Sequence, residues 1–518
     1  MKSIISIISC LLIAFSLTAQ SEEELASIPL NDYITGTSYN YPDQIRHAFI
    51  DSAKLYLNRG DGSSWISSPD EYAALFARRT AGEFNGRTSK ILSIDIFQNI
   101  AQAEIEVLIP TINARFIDLL LLKKIDGAWK IISKTATRYP LNPPYAGSQQ
   151  KVLVNGLKRP WSMDFFNAEE AIVAEKEGDL LHVNLMTGAR TVIEGFPDDL
   201  FRPLLLDVSK YQKGIYPSSL DGKLIRANAG ILEVILDPDF ANNSFIYVSY
   251  VSQKGDTYAL KVIRARLEND QMTDTQTLLN PGPYVPGLYH FGGGMTFGPD
   301  GKLYITAGER LFYEYVKEGL PIAQDVTDGR GKIYRINPDG SIPEDNPNVG
   351  ENAVEGIYAI GIRAAQGITV HPRTGQIWFS EHGTIQGDEI NILAPGANYG
   401  WPNVTTGTYR SPGYDPSSLE DPVYTDPVHF WQQTVAPTGL TFYTGTEFPE
   451  WLNNLIVPGL SRGSLWRLSL DGDVVKQAEE LFLDNHVRLR KAEMSPDGKL
   501  YLLTDEENGK IIEVVTRR

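Results

Sequence analysis

The sequence has one cysteine in 518 residues, Cys10, inside the first twenty. The rest of the chain is therefore without a disulfide, a thiol nucleophile or a thiolate metal ligand. It also lacks any basic tract. The formal net charge is -17, which argues against phosphate-backbone binding and a nucleic-acid partner. No segment beyond the first twenty residues approaches 18 consecutive apolar residues, so no membrane span is expected. Any metal must take oxygen or imidazole ligands, and in an exported protein that points first to calcium.

Against these absences stands ample apolar material, 42% hydrophobic and 10% aromatic, enough for two or three domains. Residues Met1 to Gln20 pair an early Lys2 with an apolar run, and Ser21-Glu22-Glu23-Glu24 follows at once. This predicts an export signal over 1–20 and a periplasmic or extracellular mature protein. A lipoprotein signal at Ile8-Ser9-Cys10 is the lesser alternative, because the apolar stretch before Cys10 is short.

From Tyr41 to about Tyr139 the pattern is α+β. PDQIRHAFIDSAKLYLNRGDG sets Ile45, Phe49, Ala53, Leu55 and Leu57 near a 3.6-residue spacing, which predicts a helix, and SPDEYAALFARRT predicts a second capped by Ser68. SKILSIDIFQN, AQAEIEVLIP and ARFIDLLLLKKIDGAWKIISKTATRY read as strands, the last split at Asp126-Gly127, and predict a curved antiparallel sheet. NIAQAEIEV and LLLLKKIDGAWKIISK resemble the lumazine-binding branch of the NTF2-like fold. The resemblance implies a cone with a pocket over residues 25–140 and leaves its function open. Trp129 and the leucines are expected in its core.

Beyond Pro140, Pro143 and Pro144 the texture changes to short strands punctuated by turns. A turn followed by apolar alternation recurs in FNAEEAIVAEKEGDLLHVNL, LDPDFANNSFIYVSY, FGPDGKLYITAGE, VHPRTGQIWFSEHG, the stretch Trp451 to Val457, and MSPDGKLYLLTDE. Six copies predict a six-bladed β-propeller over 148–517, so the fold class is mainly β with a small α+β domain in front. Function is then expected in the loops around the axis.

Three clusters have no strand-packing role. Tyr289-His290-Phe291-Gly292-Gly293-Gly294 sets a histidine before glycines that would let a ligand approach closely. Gly361-Ile362-Arg363 with Gln366-Gly367 leads into Glu381-His382-Gly383-Thr384 and Gly387-Asp388-Glu389-Ile390-Asn391. Arg488 and Arg490 stand at strand spacing on one face. A lone histidine is more often structural, and two arginines on an acidic protein can simply be solvated.

GILEVILDPDF, HFGGGMTFGPDGKLY, GKIYRINPDGSIPEDNP, the AIGIR and QG segment, EHG with GDEIN, NYGWPNV and RLRKAEMSPDGKLYLLTDE together resemble the glucose/sorbosone dehydrogenase family of soluble quinoproteins. The resemblance implies an oxidoreductase that oxidises an aldose-type sugar at its anomeric carbon with pyrroloquinoline quinone and calcium. It implies His290 as general base, Glu309 as the acid that holds it, and Arg363 as the cation facing the quinone oxygen. Asn228, Arg363, Gly459, Leu460, Ser461, Arg462, Arg488 and Arg490 fall at cofactor-binding positions, with Arg488 and Arg490 for the cofactor's carboxylates. The carbonyls of Gly383 and Thr384 match the cofactor's calcium, and Glu389 with Tyr399 a second calcium.

Three departures accompany the match. Asn228 replaces a longer amide, Ala364-Ala365 interrupt the family's pattern after Arg363, and Ser461 stands where a lysine is usual, with Arg462 beside it. The link from Gly195 to Ile225 is longer than usual and would cover the pocket mouth. A non-catalytic propeller binding a glycan or a protein partner is the competing reading, and a calcium-dependent lactonase ranks behind it. The expected partners are a sugar and an external electron acceptor, on a monomer or homodimer.

Overall fold

Ser21 starts the first helix by a reciprocal cap. Its hydroxyl accepts from the Glu24 N–H at 3.1 Å, and the Glu24 carboxylate accepts from the Ser21 N–H at 2.9 Å. The computed structural model describes residues 21–58, 63–109, 112, 114–139, 148–202, 206–207, 224–225, 228–310, 321–409, 424–461, 463–483 and 487–516. The chain divides into two units, residues 1–143 and 144–518.

In the first unit α1 (Glu22–Tyr39), α2 (Pro42–Ala48), β1 (Phe49–Asn58), β2 (Ser64–Ser67), α3 (Pro69–Ala74) and β3 (Thr88–Phe97) precede β4 (Ile100–Ile109), β5 (Ala114–Ile125) and β6 (Ala128–Tyr139). The strands form one sheet in the order β2-β1-β6-β5-β4-β3. Two expectations are corrected here. The helix read through Leu57 stops at Ala48, because Ala53, Leu55 and Leu57 are buried at every second residue, the strand period. The sheet is mixed, since β1 runs parallel to β6. The capping pair Ser21 and Glu24 was the available sign of α1, which the sequence reading passed over. Ser68 does cap α3, with the same pairing to Glu71. Ala26, Leu30 and Tyr33 of α1 pack with Ile105, Leu120 and Trp129 of the sheet.

The second unit repeats one motif. Among the described residues there are six four-stranded antiparallel sheets, whose first strands are Pro160–Phe165, Ile231–Leu236, Gly292–Phe297, Ala365–Val370, Thr441–Phe442 and Leu489–Met494. Each first strand lies beside the next, and Leu489–Met494 lies against Pro160–Phe165. The last sheet joins both ends of the unit, because Gly509–Thr516 pairs with Ser148–Leu157. The recurring sequence segments supply the second strand of each sheet, buried throughout in Leu303–Ala307, Ile377–Glu381 and Leu500–Thr504.

Five of the six first strands carry a register shift near their start: at Pro160/Ser162, Ile231/Glu233, Gly292/Met295, Ala365/Gly367 and Leu489/Lys491. A bulge turns the extra residue out of the ladder and re-aims it. Trp161 and Arg490 are two residues so placed. Among the described residues no helix is long and apolar enough to cross a membrane.

Candidate active site

His290 precedes its first strand with φ +51, a left-handed conformation that a non-glycine residue holds only under tertiary constraint. Gly308 accommodates it: a Cβ there would lie 2.1 Å from the His290 carbonyl oxygen. The glycines after His290 stand in close packing with the protein itself. Added Cβ atoms would meet Gly308 N at 2.9 Å from Gly292, Leu232 Cδ1 at 2.7 Å from Gly293, and Gln366 O at 3.1 Å from Gly294.

The imidazole Nδ1 lies 3.1 Å from Glu309 Oε1, and the Glu309 side chain is fully buried. The Glu309 N–H donates to the Arg363 carbonyl at 2.9 Å. His290, Glu309 and Arg363 are thus joined through one carboxylate and one backbone bond. Arg310, absent from the sequence reading, fastens the loop that carries His290. Its guanidinium donates to the carbonyls of Tyr258, Gly287 and Tyr289 and stacks 3.5 Å over the Phe291 ring.

Arg363 is buried, donates to His382 O at 3.2 Å and faces the Trp401 ring at 5.1 Å. Burial pushes His382 down to about 4, Asp388 opposes that shift, and the charges of Arg490 and Arg363 add to it. His382 is neutral at pH 7 and donates from Nε2 to Pro437 O at 2.9 Å. Asp388 fixes the following loop, accepting from Gly383 N at 2.9 Å and from Val435 N and Ala436 N at 2.7 Å.

One cavity is lined by Arg363, Glu381, Gly383, Glu389, Tyr399 and Trp401. It brings Arg363 together with three of the four expected calcium positions. The fourth, Thr384, is buried and donates through its hydroxyl to Thr408 O. Glu381 and Glu389 are register partners on neighbouring strands. Burial and then the Glu389 charge push Glu381 up to about 8, and burial also raises Glu389. The Tyr399 hydroxyl donates to Ile392 O at 2.6 Å, so its phenol is committed to the fold. Among the described residues no three His, Cys, Asp or Glu side chains group as a metal site. A cation here would depend mainly on backbone carbonyls.

The arginines singled out by spacing meet on one carboxylate. Asp505 Oδ2 accepts from Arg488 Nη2 at 2.9 Å and Arg490 Nη2 at 3.0 Å, and Arg159 lies 3.8 Å from Oδ1. Although burial opposes it, Arg490 leads the surrounding cations in holding Asp505 well below the usual carboxylate range. Arg490 stacks on Trp161 at 3.9 Å, and Lys176 lies over the same ring at 5.3 Å. Lys176 Nζ donates to Asn228 Oδ1 at 3.2 Å. Leu460 O accepts from Arg488 Nη1 at 3.2 Å and Gly459 O from Leu489 N at 3.4 Å, so both contribute backbone. Ser461 is exposed and its N–H donates to Val435 O at 3.0 Å. Arg462 and most of the Gly195–Ile225 link lie outside the described residues.

The donor set suits a planar polycarboxylate. Four cations surround Asp505, an indole stacks on one of them, and the buried Arg490 Nε has no hydrogen-bond partner among the described residues. Arg159, Trp161, Lys176 and Asp505 were not singled out from sequence. Only Asp505, inside the closing TDE motif, carried a signal.

The first unit holds a separate buried cluster. Asp118 accepts from Tyr33 at 2.6 Å and Lys134 at 2.9 Å, and Arg87 donates to the Tyr33 hydroxyl at 2.8 Å.

Comparison with known proteins agrees with this division. Residues 157–513 match the family Glucose / Sorbosone dehydrogenase, and residues 21–136 match the family Putative lumazine-binding. The aldose sugar dehydrogenase YliI of Escherichia coli is 32% identical over 375 residues, 71% of this chain and 92% of that protein. The apo crystal structure of the soluble aldose sugar dehydrogenase from Escherichia coli superposes with TM-score 0.62 at 30% identity, covering 71% of this chain and 100% of the other. The PQQ-bound aldose sugar dehydrogenase from Streptomyces coelicolor gives TM-score 0.53 at 25% identity, covering 72% and 100%.

Proposed function

The chain belongs to the glucose/sorbosone dehydrogenase family, and from that membership we propose that it oxidises an aldose-type sugar at the anomeric carbon, with pyrroloquinoline quinone as bound hydride acceptor. The observation that carries this reading is the pairing of His290 with the buried Glu309, tied to Arg363. The six sheets act as the blades of a propeller, and the site occupies the loops at the start of their first strands.

Glu309 holds the proton on Nδ1 of His290, which makes Nε2 the acceptor for the anomeric hydroxyl proton. Loss of that proton as hydride leaves the carbon gives the lactone. The guanidinium of Arg363, held by His382 O and the Trp401 ring, would stabilise negative charge developing on a bound acceptor. Arg488 and Arg490 would hold the cofactor's carboxylates. Calcium is assigned to the carbonyls of Gly383 and Thr384 and to Glu389 with Tyr399. Its support is the facing pair of buried Glu381 and half-buried Glu389, whose raised carboxyls a divalent cation would relieve. An external acceptor removes the electrons, and the apolar run before Gln20 supports a location outside the cytoplasm.

The test is to load the purified chain with pyrroloquinoline quinone and calcium and follow dye reduction across a panel of aldoses. Sugar-dependent reduction is expected, and His290→Ala should lower it about 100- to 10,000-fold while cofactor binding persists. No cofactor binding at micromolar concentration would transfer the chain to the non-catalytic propellers, the reading that exposed Ser461 favours.

A further inference from the structure

Lys176 follows the second strand of the first sheet, Glu170–Glu175, and is 8% exposed. Three features of its setting are unusual for a buried lysine. The only hydrogen-bond acceptor its ammonium meets among the described residues is Asn228 Oδ1, although an ammonium carries three donors. The charges that act on it most are mainly of its own sign, Arg490, Arg159 and Arg488 against the carboxylate of Asp505, and Trp161 and Asn228 lie beside it. It also stands in the same cluster as the arginines assigned to the cofactor's carboxylates, while Ser461 contributes no charge there.

Resting on the dehydrogenase reading of this site, we infer that Lys176 completes the anion-binding set of this chain, taking a carboxylate of the cofactor beside Arg488 and Arg490 and gaining a proton from solvent as that carboxylate arrives. An incoming anion would supply a second acceptor beside Asn228 Oδ1 and offset the surrounding guanidinium charge. Burial, more than its neighbours, brings the free-state amine down to about 7. The amine is therefore partly neutral before the anion binds and fully charged afterwards, so binding takes up a proton.

The experiment titrates the full-length apo chain with pyrroloquinoline quinone by fluorescence at about pH 6 and about pH 8.5, beside K176M and K176R, with calorimetry in two buffers of different ionisation enthalpy to count protons. Wild type should bind about tenfold more weakly at the higher pH, with net proton uptake there. K176M should lose both the pH dependence and about tenfold in affinity at the lower pH, and K176R should restore affinity without the pH dependence. Unchanged affinity and pH dependence in K176M overturns the inference. If K176M fails to fold, the wild-type proton count decides, and absence of uptake overturns it.

Citrate, a tricarboxylate without a quinone, separates this inference from the dehydrogenase reading. Lys176-dependent citrate binding with no binding of pyrroloquinoline quinone defeats that reading and keeps the anion site. Binding of neither ligand defeats both.

Discussion

Each unit buries one carboxylate among cations, and the two clusters close to different degrees. In the first unit both oxygens of Asp118 are used internally, by Tyr33 and Lys134. Arg87 and Lys134 are also set against the rings of Tyr33, Phe76 and Tyr72. The Lys134 side chain is 3% exposed. In the second unit four cations surround Asp505, whose Oδ1 has no hydrogen-bond partner among the described residues, and the Arg488 side chain is 49% exposed. A nearly balanced cluster sealed from water holds a fold together. A surplus of one charge with an open edge is arranged for something else to complete.

That contrast can be broken most sharply at its carboxylates. Asp118→Asn leaves Lys134 buried without its counter-charge and should destabilise the first unit by about 3–5 kcal/mol. Hydrogen exchange resolved to peptides should show the loss across α1, β5 and β6, and neither citrate nor pyrroloquinoline quinone should restore protection. Asp505→Asn should also cost about 3–5 kcal/mol, because buried Arg490 and Lys176 lose their counter-charge while only Arg488 can turn to water. Here a polycarboxylate should recover most of the loss in a thermal melt. Recovery of both variants, or of neither, would erase the distinction between the clusters.

A smaller effect lies in pH. The folded Lys176 amine is lowered to about 7 from an ordinary 10.5, so the unfolded chain holds more protons between those values. Stability of the unliganded second unit should therefore rise with pH from about 7 to about 10.5, and the part owed to Lys176 is the difference from K176M. Urea midpoints at about pH 7 and about pH 9.5 measure it, and equal increments in both proteins would refute the assignment. The smallest change, Ser68→Ala, removes a cap outside both clusters and should cost about 1 kcal/mol. It should leave ligand binding unaltered, which makes it the control for general weakening.

Much of the architecture was legible because it is written in short-range patterns. The turn-plus-alternation segments marked the second strands, and Ser68 marked a helix start. Short range also misled. Ala53, Leu55 and Leu57 fit a helical spacing loosely and a strand spacing strictly, and only pairing with Ser67 and Lys134 settles which period rules.

The chain by itself determined the two-part organisation, the repeated strands and the pairing of Arg488 with Arg490 at strand spacing, because each rests on residues close in sequence. Only the tertiary structure decided that Arg159, Trp161 and Lys176 meet Arg488, Arg490 and Asp505. These residues come from the two ends of the second unit. A bulge aims Arg490 at Trp161, and the packing of Leu489–Met494 against Pro160–Phe165 closes a site whose surplus charge no local pattern encodes.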